Sequence, residues 1–507
     1  MNNEICLYRV SKNKNPDVKL WMCFPSVYSF SLSSLGYLWI SKEFDEMDDV
    51  FVERVCSDTH KTCMSSDELD FIGFSFSFDL DFLNIFKMLD KYKIPLKAEE
   101  RDNSFPLIFA GGPVVTANPM PYSKFFDFFL IGDAKNINTT IIDVYKKNVG
   151  KSKNEILKIL SDIDGIFVPK YPKTVVKSTE KLDCCVYTPI ISNEAYFKDT
   201  FILEIVRGCS NCCAFCIASY LNLPQRNVDV SKIIEALEVG LSFTNKIALL
   251  GANVCTHPDM EKLCYYLLDK IENGKQLEMS ISSLRADKLS PLIVKTLVKA
   301  GLKTATVALE AGSERLRKVI NKNISNEQFK NTVKVASENG LKGLKVYCML
   351  GIPTETEDDL KAFVEFASEL KKEFKGFDLS YSFSTFIPKA HTPFQWCARE
   401  DSKSLEYKQN YLKKEFHKLG LKASFSSVKW DYYQTVLSRG DETLTDYLIE
   451  VYHNGANLGA FKNSAKGLVD IAKFTKEFNV SDTLPWDFIK VKPGKNALLN
   501  EHNRLLR

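Results

Sequence analysis

Between Phe201 and Phe386, short apolar runs alternate six times with amphipathic stretches. The runs are FILEIV from Phe201, KIALLG from Lys246, LEMSIS from Leu277, TATVALE from Thr304, LKVYCML from Leu344 and LSYSFSTF from Leu379. Adjacent parallel strands cannot be joined by a tight turn and need a crossover, usually a helix, so this alternation predicts parallel strands with helices between them. Six such units make a partial (β/α)6 barrel over residues 199–398. The helix near Thr354 is the best marked: Thr354 with Glu357 fits a capping box, and Leu360, Phe363, Val364, Ala367 and Leu370 form an apolar stripe.

The first 165 residues alternate in the same manner, with strand candidates LWMCF from Leu20, VFVERV from Val50, FIGFSF from Phe71, LIFAGG from Leu107 and FFLIGD from Phe128. Helices are expected from Asp79 to Tyr92 and from Asn136 to Asn148. This reads as a Rossmann-like open sheet, whose ligand crevice lies at the carboxyl ends of the strands, where Gly111-Gly112-Pro113 and Gly132-Asp133 fall. Residues 166–198, rich in Lys, Pro and Thr, read as a linker, and residues 399–507 as an α-rich C-terminal domain. The expected organisation is therefore α/β, with units at 1–165, 199–398 and 399–507. A chain of 507 residues exceeds what one hydrophobic core serves, as that division requires.

Charge narrows the partners little. With 67 basic against 64 acidic side chains and a net charge of +3, there is no large field to attract a polyanion, so nucleic acid is not implied. The opening MNNEICLYRV has no basic region followed by a long apolar run, and no stretch approaches the roughly 20 apolar residues of a membrane span. A cytoplasmic protein is expected, with most of its 14 cysteines as reduced thiols.

The exception is RGCSNCCAFC, from Arg207, directly after the first strand of the second alternation. Its loop then lies at the carboxyl end of the barrel, where β/α barrels place their chemistry. Cys209, Cys213 and Cys216 make a C-x3-C-x2-C spacing. A C-x2-C-x3-C register through Cys212 fits the same string, as do a zinc site from two CxxC pairs and a redox CxxC. Zinc sites ordinarily draw their pairs from separated segments, and a thioredoxin-like motif uses two cysteines, not four. Three thiolates hold three irons of a 4Fe-4S cube and leave the fourth open. The amino and carboxylate groups of S-adenosylmethionine (SAM) can chelate that iron, so that an electron cleaves the sulfonium to methionine and a 5'-deoxyadenosyl radical.

CSNCCAFC resembles the signature of the radical SAM superfamily, with Phe215 as its aromatic. FPSVYSFSLSSLG from Phe24, FAGGPVV from Phe109, GIFVP from Gly165, LEAGSERLRKVINK from Leu309, GIPTETEDDL from Gly351, FIPKAHTPFQW from Phe386, LSRGD from Leu437 and LPWDFI from Leu484 extend the likeness across nearly all of the chain. Together they resemble radical SAM proteins with an N-terminal cobalamin-binding-like domain. The resemblance implies a 4Fe-4S cluster on Cys209, Cys213 and Cys216, Phe215 beside the adenine of SAM, and Gly351, Ile352 and Pro353 along it. Glu310 and Arg315 would reach the ribose or amino end. Gly251 opens Gly251-Ala252-Asn253, where many members carry Gly-Gly-Glu for the amino group, and a backbone carbonyl can take that part.

Cobalamin is the weakest of the implied cofactors. Ser75, Gly111 and Gly112 resemble corrinoid contacts, but Asp58-Thr59-His60 runs to Cys63 where the corrinoid motif has glycine. Gly132-Asp133-Ala134-Lys135-Asn136 also departs from the acidic string expected there, and His60 reads as a solvated loop residue. The implied activity is reductive cleavage of SAM, fed by flavodoxin or ferredoxin, on an unknown substrate, with methylation among the outcomes. Two other readings stand beside it: a non-catalytic iron-sulfur or corrinoid-binding partner, and RNA or protein methylthiolation. The second lacks an N-terminal trio of cluster cysteines and a basic RNA-binding module. His391 and His257, after the sixth and second strands, are candidates for proton transfer or for a purely structural role.

Overall fold

The computed structural model describes residues 4–8, 16–282 and 284–507. The first alternation forms a sheet of β1 (Val18–Phe24), β2 (Val50–Cys56), β3 (Phe71–Ser75), β4 (Leu107–Gly111), β5 (Phe128–Leu130) and β6 (Ile166–Phe167). Their order is β2-β1-β3-β4-β5-β6. All neighbours pair in parallel except β6, which runs antiparallel to β5 through Phe129 and Phe167. Chain order reverses at β1, between β2 and β3, and a crevice opens outside the carboxyl ends of strands at such a point. The strands are near-continuous apolar runs because both faces are covered. On one face lie the helices Leu35–Asp45, Lys135–Lys147 and Lys153–Leu160. On the other, helix Phe82–Lys91 is joined by Tyr433, Val436, Tyr447, Phe461 and Ile489 from the α-rich C-terminal region.

The second alternation gives β7 (Thr200–Arg207), β8 (Lys246–Gly251), β9 (Glu278–Ile281), β10 (Thr304–Glu310), β11 (Gly343–Leu350) and β12 (Asp378–Thr385). A seventh strand, β13 (Lys422–Phe425), pairs in parallel with β12 from within the C-terminal region. Strands β7 to β9 and β10 to β13 form two parallel sheets, joined by a bridge between Leu284 and Val307. Among the described residues no pairing returns from β13 to β7, so the arrangement is open. β7 instead takes antiparallel partners at Val186–Tyr187 and Arg226–Asn227. Helix-facing residues such as Leu203, Leu249, Val307, Val346 and Phe383 form the main core, while the alternate positions Glu204, Thr306, Tyr347 and Ser382 remain accessible.

The helix after β11 begins later than Thr354. It spans Glu357–Glu373 with Thr356 as N-cap and Asp359 completing the capping box. Thr354 has φ of 69° and lies in the loop. Near the chain's end, Ile489–Lys490 pairs in parallel with Val175–Val176. No helix among the described residues is long and apolar enough to cross a membrane.

Candidate functional site

Strand β7 runs straight into the cysteine loop. Gly208 makes the turn at φ 77°, where a Cβ would lie 2.3 Å from the Asn222 carbonyl oxygen, so only glycine fits. Cys209 and Cys213 are each 7% exposed, and Cys216 caps the short helix Ile217–Tyr220. The Asn211 Nδ2 donates to the Cys209 sulfur at 3.0 Å. Burial pushes the Cys213 thiol up to about 12, opposed by the charges of Lys322 and Arg285. Burial also raises Cys216, whose sulfur is stabilised as thiolate by groups of Ser219 and Ala218. A bound cation reverses this balance, because a coordinated thiol is deprotonated outright.

Cys212, half-buried like Cys216, lies on the same loop. Its φ is 51°, and its side chain packs with Tyr220, Leu221, Trp486 and Leu498. Its carbonyl accepts from Tyr220 Oη and Asn321 Nδ2, both at 2.9 Å. Among the described residues no three His, Cys, Asp or Glu side chains stand at metal-holding distance, the loop thiols included. The donor set, the thiols of Cys209, Cys213 and Cys216 on one loop, fits a cluster with one open iron.

The loops that follow β8, β10 and β11 surround this one. Glu310 ends β10 at φ 70°, beyond a register shift, and its carboxylate meets Lys322 Nζ at 3.1 Å. Arg315 is committed elsewhere: its guanidinium binds the Asp359 carboxylate and donates to the Thr354 carbonyl at 2.8 Å. It thereby ties the start of helix Glu314–Val319 to the loop before helix Glu357–Glu373. Gly351 turns at φ 75° and donates its N–H to Glu355 Oε2 at 2.8 Å. Ile352 is buried in one apolar cluster with Ala214 and Phe386, against which Phe215 packs, and Pro353 adjoins it at intermediate exposure. The structure thus gathers Phe215 and Ile352 from loops far apart in sequence. The Gly251 carbonyl accepts from Ser282 Oγ at 2.9 Å. Two residues on, Asn253 is 3% exposed and neither atom of its amide has a partner. A buried polar group without a partner costs about 1–3 kcal/mol, so this amide marks a place where a polar ligand fits.

Ser75, Gly111 and Gly112 come together at the wall of a cavity of about 380 Å³ between the two sheets. Glu204 and Leu250 of the second sheet line its far side, with Trp39 between. Gly112 has φ of 116°, and a Cβ there would lie 2.6 Å from the Phe76 carbonyl oxygen. No histidine is among the lining residues, and His60 is exposed. Asp133, at the same rim, binds Arg207 at 3.1 Å and Arg226 at 2.5 Å, which anchors the root of the cysteine loop to the N-terminal sheet. His391 and His257 are both buried and donate from Nε2 to backbone carbonyls, of Ala117 at 3.1 Å and Val228 at 2.8 Å.

Lys322, in a turn hydrogen-bonded to the residues on both sides of Cys213, and Arg285, which donates to the Lys322 carbonyl, escaped the sequence reading. Lys322 does fall inside LEAGSERLRKVINK, but nothing in that string says that the turn after its helix folds back onto the cysteine loop.

Two family models match the chain: Radical SAM proteins, N-terminal, over residues 41–169, and the Radical SAM superfamily over residues 203–367. The chain belongs to the radical SAM superfamily, whose members work with a 4Fe-4S cluster and SAM. It is 32% identical over 386 residues to an uncharacterised protein of Methanocaldococcus jannaschii, a match covering 75% of this chain and 80% of that relative. It is also 24% identical over 301 residues to an uncharacterised methyltransferase of Pyrococcus horikoshii, covering 58% of this chain and 64% of the relative, just under two-thirds of its length. Among solved structures, the cobalamin-dependent SAM radical enzyme OxsB with aqua-cobalamin and SAM bound superposes with a TM-score of 0.57 at 13% identity. That match covers 97% of this chain and 79% of OxsB and shows a shared fold.

Proposed function

We propose that Cys209, Cys213 and Cys216 hold the 4Fe-4S cluster, and that the chain uses it for a radical methyl transfer to a substrate bound near the interdomain cavity. When bound, the cluster supplies the electron that cleaves SAM to methionine and the 5'-deoxyadenosyl radical. The observation that carries the reading is the loop itself, with Cys209 and Cys213 buried, Cys216 half-buried at the start of its helix and Cys212 packed against the cluster of Tyr220 and Trp486. Phe215 and Ile352 offer an apolar wall for the adenine, the unpartnered Asn253 amide and the Gly251 carbonyl offer hydrogen bonds to the amino-acid end, and Glu310 offers a carboxylate to the ribose. Burial at this end excludes water from a reactive radical. A low-potential one-electron carrier such as flavodoxin or ferredoxin would supply the electron.

The cavity bounded by Ser75, Gly111 and Gly112 supports a corrinoid as the methyl carrier, held without a protein imidazole, since no histidine lines it. The likeness to a cobalamin-dependent enzyme and to a methyltransferase favours this over a SAM-binding partner without turnover.

Anaerobic reconstitution with iron and sulfide tests the proposal. Iron and sulfide near four each per chain, a 4Fe-4S absorbance and 5'-deoxyadenosine formed under dithionite are expected. Cys213→Ala should abolish product while the fold persists. A wild-type protein that binds iron yet leaves SAM intact overturns it. Retention of hydroxocobalamin through gel filtration, read by its absorbance, tests the corrinoid separately.

A further inference from the structure

A buried cation beside the cysteine loop that the proposed function does not use is Lys322. It lies in the turn after helix Glu314–Val319, a turn docked on the cysteine loop at two points. The Ala214 N–H donates to the Ile320 carbonyl at 2.9 Å, and Asn321 Nδ2 donates to the Cys212 carbonyl at 2.9 Å. Asn321 and Asn323 hold left-handed conformations, with φ of 54° and 49°, on either side of Lys322. Asparagine tolerates that region better than other side chains, so the local sequence suits the tight reversal that turns the lysine inward.

The turn is braced from behind as well. Arg317 is fully buried and donates to the carbonyls of Ile324, Ala311 and Gly312. The Lys322 N–H returns to the Arg317 carbonyl at 2.8 Å, and Arg285 Nη2 donates to the Lys322 carbonyl at 3.0 Å. The lysine's side chain is 9% exposed and its ammonium meets Glu310 at 3.1 Å. The ammonium is thus held against the carboxylate of β10, in a turn hydrogen-bonded to the residues on both sides of Cys213 and in a region where water screens little.

We infer that Lys322 is a positioning residue whose buried ammonium raises the reduction potential of the cluster held by the cysteine loop. One-electron reduction adds a negative charge to a site that already carries three thiolates. A fixed positive charge at Cys213 stabilises the reduced form more than the oxidised one, and brings the couple within reach of a low-potential one-electron donor. The same charge holds the Glu310 carboxylate in place, so one side chain sets both the potential and a SAM contact. Reduction potentials of iron–sulfur clusters respond to charge, hydrogen bonding and solvent access around the sulfurs.

This inference rests on the proposed cluster site, and the test separates the two. Full-length protein is reconstituted anaerobically, without SAM, and its midpoint potential is read by a dithionite titration followed by EPR and absorbance. Lys322→Met should lower the potential by at least the equivalent of a tenfold change in the one-electron equilibrium, 59 mV. Lys322→Arg should stay near wild type. Lys322→Met combined with Glu310→Gln leaves no unpaired carboxylate and guards against a folding defect. Because it removes both charges of the pair, its potential should lie between those of Lys322→Met and wild type. Iron and sulfide content should match wild type in every variant.

If wild type assembles no 4Fe-4S cluster, the site reading fails. If all variants assemble it and the potentials of Lys322→Met and the double variant coincide with wild type, the inference on Lys322 fails while the site stands. A lowered affinity for SAM with an unchanged SAM-free potential also overturns it, by assigning the lysine to SAM alone.

Discussion

Replacing Arg317 with methionine should destabilise the fold around β10 and β11 by about 3–5 kcal/mol, the range observed when one partner is removed from a buried charged network. The guanidinium is completely buried; Nε donates to the Ile324 carbonyl at 2.6 Å and Nη1 to the carbonyls of Ala311 at 2.8 Å and Gly312 at 3.0 Å. Nη2 binds the side chain of Asn326. Methionine fills a similar volume without a donor, so three buried carbonyls lose their partner at about 1–3 kcal/mol each. Relief from burying a cation returns part of that cost. Burial already lowers the Arg317 pKa to about 10, so it is charged at neutral pH and this relief is real. The net loss corresponds to a fall of roughly 10 °C in the transition of a domain of this size. Calorimetry of the metal-free protein measures the fall, and native-state hydrogen exchange at Ala214 and Lys322 tests its locality, since both amides close the braced turn. Arg317→Lys should fall between the two, because an ammonium reaches some of the same carbonyls. A loss below about 1 kcal/mol, or unchanged protection at those amides, refutes the reasoning.

His391 gives a pH dependence of known sign. Burial lowers its pKa to about 4, while the unfolded chain protonates near 6.5. Its contribution is therefore complete above about 6.5 and is lost as pH falls toward about 4, at most about 3 kcal/mol in all. Urea midpoints measured from pH 7 to 4 should show this slope, and His391→Gln should flatten it. Gly112→Ala forces a left-handed conformation against the Phe76 carbonyl, and should cost about 2–4 kcal/mol and abolish hydroxocobalamin retention. Cys212→Ser should keep full iron content after reconstitution whereas Cys216→Ser should lose it. Equal losses in the two would mean that the loop ligates in the other register.

The N-terminal strands were readable because parallel strands covered on both faces become unbroken apolar runs, and the later ones because every second residue faces the core; each of the eleven runs named from the sequence is a strand. β13 escaped because KASF is four residues long, with exposed positions alternating with half-buried ones and no apolar run. The capping box was displaced because Thr354-x-x-Glu357 and Thr356-x-x-Asp359 both fit the pattern. Arg315 decides between them by taking the Thr354 carbonyl, so the helix starts beyond it. The cysteine spacing revealed the donors. Nothing local revealed Lys322, because the contact that delivers it, Asn321 to Cys212, spans 109 residues. The C-terminal region read as a separate α-rich unit for the same kind of reason. An apolar stripe says that a helix is covered, not which sheet covers it.

That region sets the timing of folding. Phe461 packs against Phe82 at 6.2 Å, and Tyr452 against Phe86 at 5.7 Å, so the N-terminal sheet borrows part of its lining from residues made much later. A ribosome adding about 5–20 residues per second leaves that face exposed while the whole second domain is synthesised. Contacts so distant in sequence close slowly. The exposed aromatic face is then a target for chaperones in the nascent chain. A fragment ending near Phe425 would keep β1 to β13 and still be a poor candidate for soluble expression.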